Sequence, residues 1–173
     1  YYRGHTLGWS QFELIDPELG GGTGSNTGLG TRGLFGGFNV GGNVIEFLTV
    51  SSLGNTQDFG DLSTGRNIVG QNCCNRTRMI FGGGYDPTGW VNIMDFITVA
   101  STGNATDFGD TTEKRTKINS VNNNTRGIFC GGQHAPDYSG SNVIDYVTIA
   151  QTGNAVDFGD MGNAIATNSS ASS

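Results

Sequence analysis

Short apolar runs, closed by glycine and separated by polar turns, recur along most of this chain. The segments NVIEFLTVSS from Asn43, VNIMDFITVAS from Val91 and NVIDYVTIAQ from Asn142 are dense in β-branched and aromatic residues. That composition suits a pleated, largely buried strand. Each is preceded by a shorter apolar run stopped by two glycines, as in RGLFGG from Arg32. Each is followed by a Gly-Asn turn at Gly54-Asn55, Gly103-Asn104 or Gly153-Asn154, residue types that tolerate positive φ. A short run around Asp-Phe-Gly-Asp comes next and carries one aromatic. Between units, RNIVGQNCC from Arg66 and RTKINSVNN from Arg115 read as weaker strands leading into the next double glycine. The pattern predicts four antiparallel strands per unit.

The units keep register. The Asp-Phe-Gly-Asp tetrads begin at Asp58, Asp107 and Asp157, offset by 49 and 50 residues. The double glycines begin at Gly36, Gly82 and Gly131, offset by 46 and 49. The difference lies in a loop of five, eight and nine residues that separates the glycines from Asn43, Asn92 and Asn142. A unit of about 49 residues with four strands has the size of one propeller blade. The expected organisation is an arm or the end of an upstream domain over 1–30, then three repeats over 31–65, 66–114 and 115–162. A trailing strand over 163–173 is expected to open a further unit. Neighbouring blades must stack to bury their faces, and a closed propeller has 4 to 8. Closure of three blades is therefore expected from further sequence or, failing that, from another chain.

Composition agrees with an all-β reading. Of 173 residues 30 are glycine and only 3 proline, which argues against helices and against collagen. The glycine-rich stretch from Gly20 to Gly30 reads as linker. No apolar run reaches the length of a membrane span. A net charge of −6 leaves no basic footprint for nucleic acid. Cys73, Cys74 and Cys130 have no metal-ligand spacing and read as small buried or half-buried residues.

The double glycine, the variable loop, the following Asn-x-Ile/Met-Asp/Glu-aromatic stretch and the aromatics Phe59, Phe108 and Phe158 together resemble the kelch family of β-propellers. Arg66 and Arg115 stand where kelch units often carry a basic residue, while phenylalanine replaces the usual tryptophan. The phrases VIDYVTIA and TGNATDFGD further resemble repeats in structural proteins of marine tailed bacteriophages, cyanophages especially, from about Thr31 to Asp160. The resemblance implies kelch-like blades in a virion component: a tail fibre, capsid fibre or decoration protein assembled in the host cytoplasm.

Catalytic readings find little support. The three Asp-Phe-Gly copies lack the phosphate loop, strand lysine and catalytic-loop aspartate that give the kinase triplet its role. Their repeat spacing points to packing. The glycine clusters fit neither dinucleotide nor nucleotide-loop patterns. Glu46, Asp95 and Asp145, one per unit inside an apolar strand, are expected to be structural and bonded to backbone amides of a neighbouring strand. The chain is expected to be no enzyme and to use no cofactor or metal.

Recognition is expected in the variable loops, since loops on a rigid scaffold commonly carry function. Tyr85, Trp90, His134 and Tyr138 have rings able to stack on sugars, and Asp86 and Asp137 could accept hydroxyl bonds. The same aromatics could equally anchor a loop or a subunit contact. Expected partners are other virion proteins or copies of the chain, in an oligomer, with a host-surface glycan as the recognition target. A secreted or surface carbohydrate-binding propeller module of bacterial origin, hence extracellular, is the second reading.

Overall fold

The structure, a computed structural model, describes residues 32–37, 41–67, 72–134 and 136–166. The arm over 1–30, the first-loop residues 38–40 and the end of the chain beyond residue 166 lie outside the described residues. Those described form strands and turns with no helix.

The first sheet is a three-stranded meander of β1 (Arg32–Gly36), β2 (Val44–Thr49) and β3 (Gln57–Asp61). The second has four strands in sequence order: β4 (Asn72–Cys74), β5 (Arg78–Asp86), β6 (Gly89–Thr98) and β7 (Thr106–Asp110). The third contains β8 (Arg115–Thr116), β9 (Asn119–Asn122), β10 (Arg126–Cys130), β11 (Gln133–His134), β12 (Ser139–Thr148) and β13 (Val156–Ile165). Its order is β8-β11-β12-β10-β9, and β13 also pairs with β12. Every pairing is antiparallel.

The core is divided between the two junctions of adjacent sheets. Ile45, Phe59 and Leu62 of the first unit meet Met79, Phe81, Ile97 and Val99 of the second. Cys73, Ile80, Met94 and Phe108 of the second meet Ile118, Phe129, Val147, Ile149 and Ala155 of the third. Alternation along each central strand explains this: successive side chains point to opposite faces, so β6 sends Met94 to one neighbour and Ile97 to the other.

Four local readings change. In the second unit the double glycine does not stop its strand. The register shifts there, with Gly83 at φ 62° opposite both Asn92 and Ile93 of β6, and β5 continues to Asp86. In the third unit the glycine register is displaced by one. Gly36 and Gly82 face Ile45 and Met94, and the position facing Ile144 is Cys130 rather than a glycine. The second glycine is the backbone constant, with φ of 67°, 62° and 65° at Gly37, Gly83 and Gly131. The run from Arg115 also divides into β8 and β9, because Lys117 takes φ 54° between them. Finally, residues 163–165 extend β13, which pairs Ile165 with Ser141 of its own sheet.

Candidate functional site

The second variable loop is a hairpin tip joining β5 to β6, with Tyr85 opposite Trp90 and Asp86 opposite Gly89. The Asp86 carboxylate fixes this tip. Its Oδ1 accepts from the Thr88 hydroxyl at 2.6 Å and from the amides of Thr88 and Gly89 at 2.7 and 3.0 Å. The Thr88 hydroxyl above all holds the Asp86 carboxyl below its ordinary value, against the opposing effect of burial.

Tyr85 and Trp90 pack edge-to-face with centroids 5.2 Å apart, and Trp90 packs in turn against Tyr138 of the third unit at 5.0 Å. The structure therefore brings three of the expected recognition rings into one cluster spanning two units. Tyr138 is exposed and sits at φ 60°, a backbone conformation uncommon for a bulky residue. Beside it, Asp137 Oδ1 accepts the Ser139 amide at 3.2 Å. The Ser139 hydroxyl, then its amide, hold the Asp137 carboxyl below the usual range, and His134 contributes in the same direction. His134 lies on β11, paired to Ser139 on one side and Arg115 on the other. The first loop reaches the same side, where a Cβ on Gly41 would stand 3.5 Å from Pro87 Cγ. Chemically, the cluster offers ring edges and faces plus the Trp90 indole N–H, which is buried and has no protein hydrogen-bond partner. Both carboxylates spend part of their accepting capacity on their own turns.

The best-organised polar groups lie elsewhere, and sequence reading named their members without pairing them. Arg66 is fully buried and pairs with the equally buried Asp95 at 2.7 Å. Its guanidinium also donates to the carbonyls of Gly83 at 3.0 Å and Thr64 at 3.1 Å. Asp95 receives the Ser63 hydroxyl at 2.6 Å and the Ser63 amide at 3.2 Å. One unit later Arg115 pairs with Asp145, which also receives the Thr112 hydroxyl and amide. So Asp95 and Asp145 do accept amides, but from the connectors at Ser63 and Thr112 rather than from a neighbouring strand. Their principal partner, however, is the arginine five residues past the preceding tetrad. That constant spacing was the available signal. In the first unit, half-buried Glu46 accepts the Thr56 hydroxyl at 3.0 Å.

The remaining sequence features have structural positions. Asn75 and Asn123, which begin Asn-x-Thr triplets, turn their side-chain carbonyls onto the amides two and three residues ahead, capping the turns that enter β5 and β10. Cys73 is buried in the core between the second and third sheets, and burial pushes its thiol up to about 12. Cys130 is half-buried, as expected, whereas Cys74 is exposed. A shallow recess bounded by Tyr146, Gln151, Asn154 and Val156 recurs in the second unit around Phe96, Ser101, Asn104 and Thr106. Its recurrence makes it a property of the repeated hairpin. No known protein family matches the chain, and no curated protein matches it.

Proposed function

We propose that the chain is a run of kelch-like propeller blades serving as a non-enzymatic structural component of a tailed-phage virion, with its loop side available for host-surface binding. The observation that carries the scaffold reading is the repetition of one junction. In the second and third units alike, a buried arginine–carboxylate pair receives a Ser/Thr hydroxyl from the connector that leaves the preceding sheet. A repeated buried ion pair that takes a hydroxyl from the preceding unit specifies how neighbouring sheets sit, which is what an assembly scaffold requires. The second sheet, a meander of four antiparallel strands, has the form of one blade. The phage assignment rests on the sequence resemblance between Thr31 and Asp160. Mass spectrometry of purified particles tests it, and the expected result is this chain at a fixed stoichiometry per virion. Its absence from particles, with free secreted protein instead, would reject the assignment.

The cluster of Tyr85, Trp90 and Tyr138 favours carbohydrate binding as a second reading, either as the virion's host contact or in a secreted module. Aromatic faces next to carboxylates suit the apolar and hydroxyl surfaces of a sugar ring. A glycan array on the wild-type chain and on Tyr138→Ala measures this. Ring stacking predicts a glycan signal that falls at least tenfold in the variant, and a blank array removes the reading.

A further inference from the structure

Among the described residues the chain makes one interface twice and leaves both of its halves uncovered. At the first junction the amides of Gly103 and Ala105 donate to the carbonyls of Phe59 and Asp61, each at 2.7 Å. At the second, Gly153 and Ala155 donate to Phe108 and Asp110 at 2.7 and 2.8 Å. The Asn104 and Asn154 side chains return the contact by accepting the amides of Asp61 and Asp110 at 3.1 Å. Arg32 and Arg78 donate across the same junctions to the carbonyls of Val99 and Ile149 at 2.6 and 3.2 Å. The approach is close: a Cβ on Gly60 would stand 2.9 Å from Asn104 N, and one on Gly109 would stand 2.8 Å from Asn154 N.

The outer face of the third sheet repeats the accepting half. Gly159 has φ 136°, against 148° and 137° at Gly60 and Gly109, yet a Cβ there meets nothing within 4 Å. Phe158 is 52% exposed, whereas Phe59 and Phe108 are each 2% exposed beneath the next sheet. Arg126 holds its guanidinium 4.6 Å from the Tyr146 ring centroid, as Arg78 does over Phe96 at 4.4 Å. The outer face of the first sheet repeats the donating half. Gly54 has φ 157°, matching 156° at Gly103 and Gly153. Val50 is 60% exposed, whereas its counterparts Val99 and Ile149 are 9% and 0% exposed. Both halves thus hold, undocked, the backbone they adopt when docked, so little ordering cost opposes their meeting.

We propose that the first-sheet face of one copy docks head-to-tail on the third-sheet face of a second copy, through Val50, Gly54 and Asn55 against Arg126, Phe158 and Gly159. A second copy is the occupant that the structure itself specifies, because the chain already builds this contact internally on both sides of its middle sheet. The inference rests on the repeated-blade reading and names its partner. The contact is heterologous, so it either closes into a ring or continues into a filament. It is also weaker than the internal junctions. Gly162 and Ile165 stand where Ser63/Thr112 and Arg66/Arg115 supply the hydroxyl and the buried cation of the polar lock. Cys130 stands where Gly36 and Gly82 receive the rings of Phe81 and Phe129.

Sedimentation of the full chain over a wide concentration range tests the proposal, and reversible self-association is expected. Val50→Asp and Phe158→Asp each place a charge in one half of the contact on an already exposed side chain. Each variant alone is expected to be monomeric, and an equimolar mixture should give a one-to-one dimer, because each retains the half the other lacks. Cys130→Gly should tighten wild-type association severalfold by making room for the docked copy's Phe35, the exposed counterpart of Phe81 and Phe129. A monomeric wild type, as would follow if residues 1–30 or an unrelated partner covered either face, overturns the proposal. So does a Phe158→Asp chain that dimerises alone, or looser association of Cys130→Gly. Hydrogen exchange at Gly103 and Gly153 separates the two levels. Protected amides without association sink the docking alone, whereas unprotected amides sink the repeated junction beneath it.

Discussion

Arg66 and Asp95 illustrate what a single residue decides in this molecule. Neither side chain is solvent-exposed, and each satisfies several groups besides its partner. Removing one partner strands a buried charge, at a cost of about 3–5 kcal/mol, whereas replacing both with apolar residues of similar volume is often nearly neutral. Asp95→Ala and Arg66→Met are therefore each expected to lower unfolding free energy by about 3–5 kcal/mol, with the double variant Arg66→Met/Asp95→Leu losing less than either. Denaturant titration of the three variants measures this, and additive losses would contradict a coupled pair. The carboxylate in an apolar strand was visible in the sequence, and so was the arginine. Their pairing was not, because the two stand 29 residues apart in one unit and meet only when the connector carrying Arg66 folds back onto the central strand. Cys130 escaped for a different reason. Two adjacent glycines follow it, and a match by letter put them in the place that the backbone assigns one residue earlier.

At the scale of the element, the Gly-Asn turn does more than reverse the chain. A turn that only joined two strands would lose little if its asparagine were removed. Asn104 and Asn154, however, hold the preceding sheet by accepting the amides of Asp61 and Asp110. Asn55 occupies the same place in the first unit and is exposed. Asn104→Ala removes a hydrogen bond between units and is expected to cost about 0.5–1.5 kcal/mol, while Asn55→Ala should stay below about 0.5 kcal/mol in the monomer. Thermal unfolding at low concentration compares the two, and equal losses would mean the asparagine acts only within its own turn. The central strands β2, β6 and β12 were legible because β-branched and aromatic residues crowd them. The extension of β13 was not. The tetrad is identical in all three units, and only the missing Ser/Thr and Arg after Asp160 distinguish a connector that pairs with its own sheet. The loop rings Trp90 and Tyr138 were named from composition, but their contact depends on two hairpins from different sheets ending side by side.

Across the whole molecule, the division of the core into two junctions governs how the fold comes apart. The middle sheet contributes to both clusters, whereas the first and third contribute to one each. Architectures in which each unit touches only its neighbours have stabilities that approximate a sum of unit and interface terms, and their ends open before their centre. Phe59 lies in the first cluster and packs edge-to-face on Phe47 at 5.9 Å. Phe59→Ala removes a buried ring from that junction, at a cost of about 3–5 kcal/mol. The expected loss is local: amides of β1 and β2 should exchange faster by two or more orders of magnitude, since about 1.4 kcal/mol is a factor of ten. Amides of β10 and β12, which face each other across the third sheet, should keep their wild-type protection. Phe108→Ala gives the reciprocal case, because its ring lies in the second cluster. That variant should free the third sheet and spare the first. Hydrogen exchange read by mass spectrometry on both variants resolves the question segment by segment. A uniform loss of protection over all three sheets would show one indivisible core, and the two junctions would then not be separable units of stability.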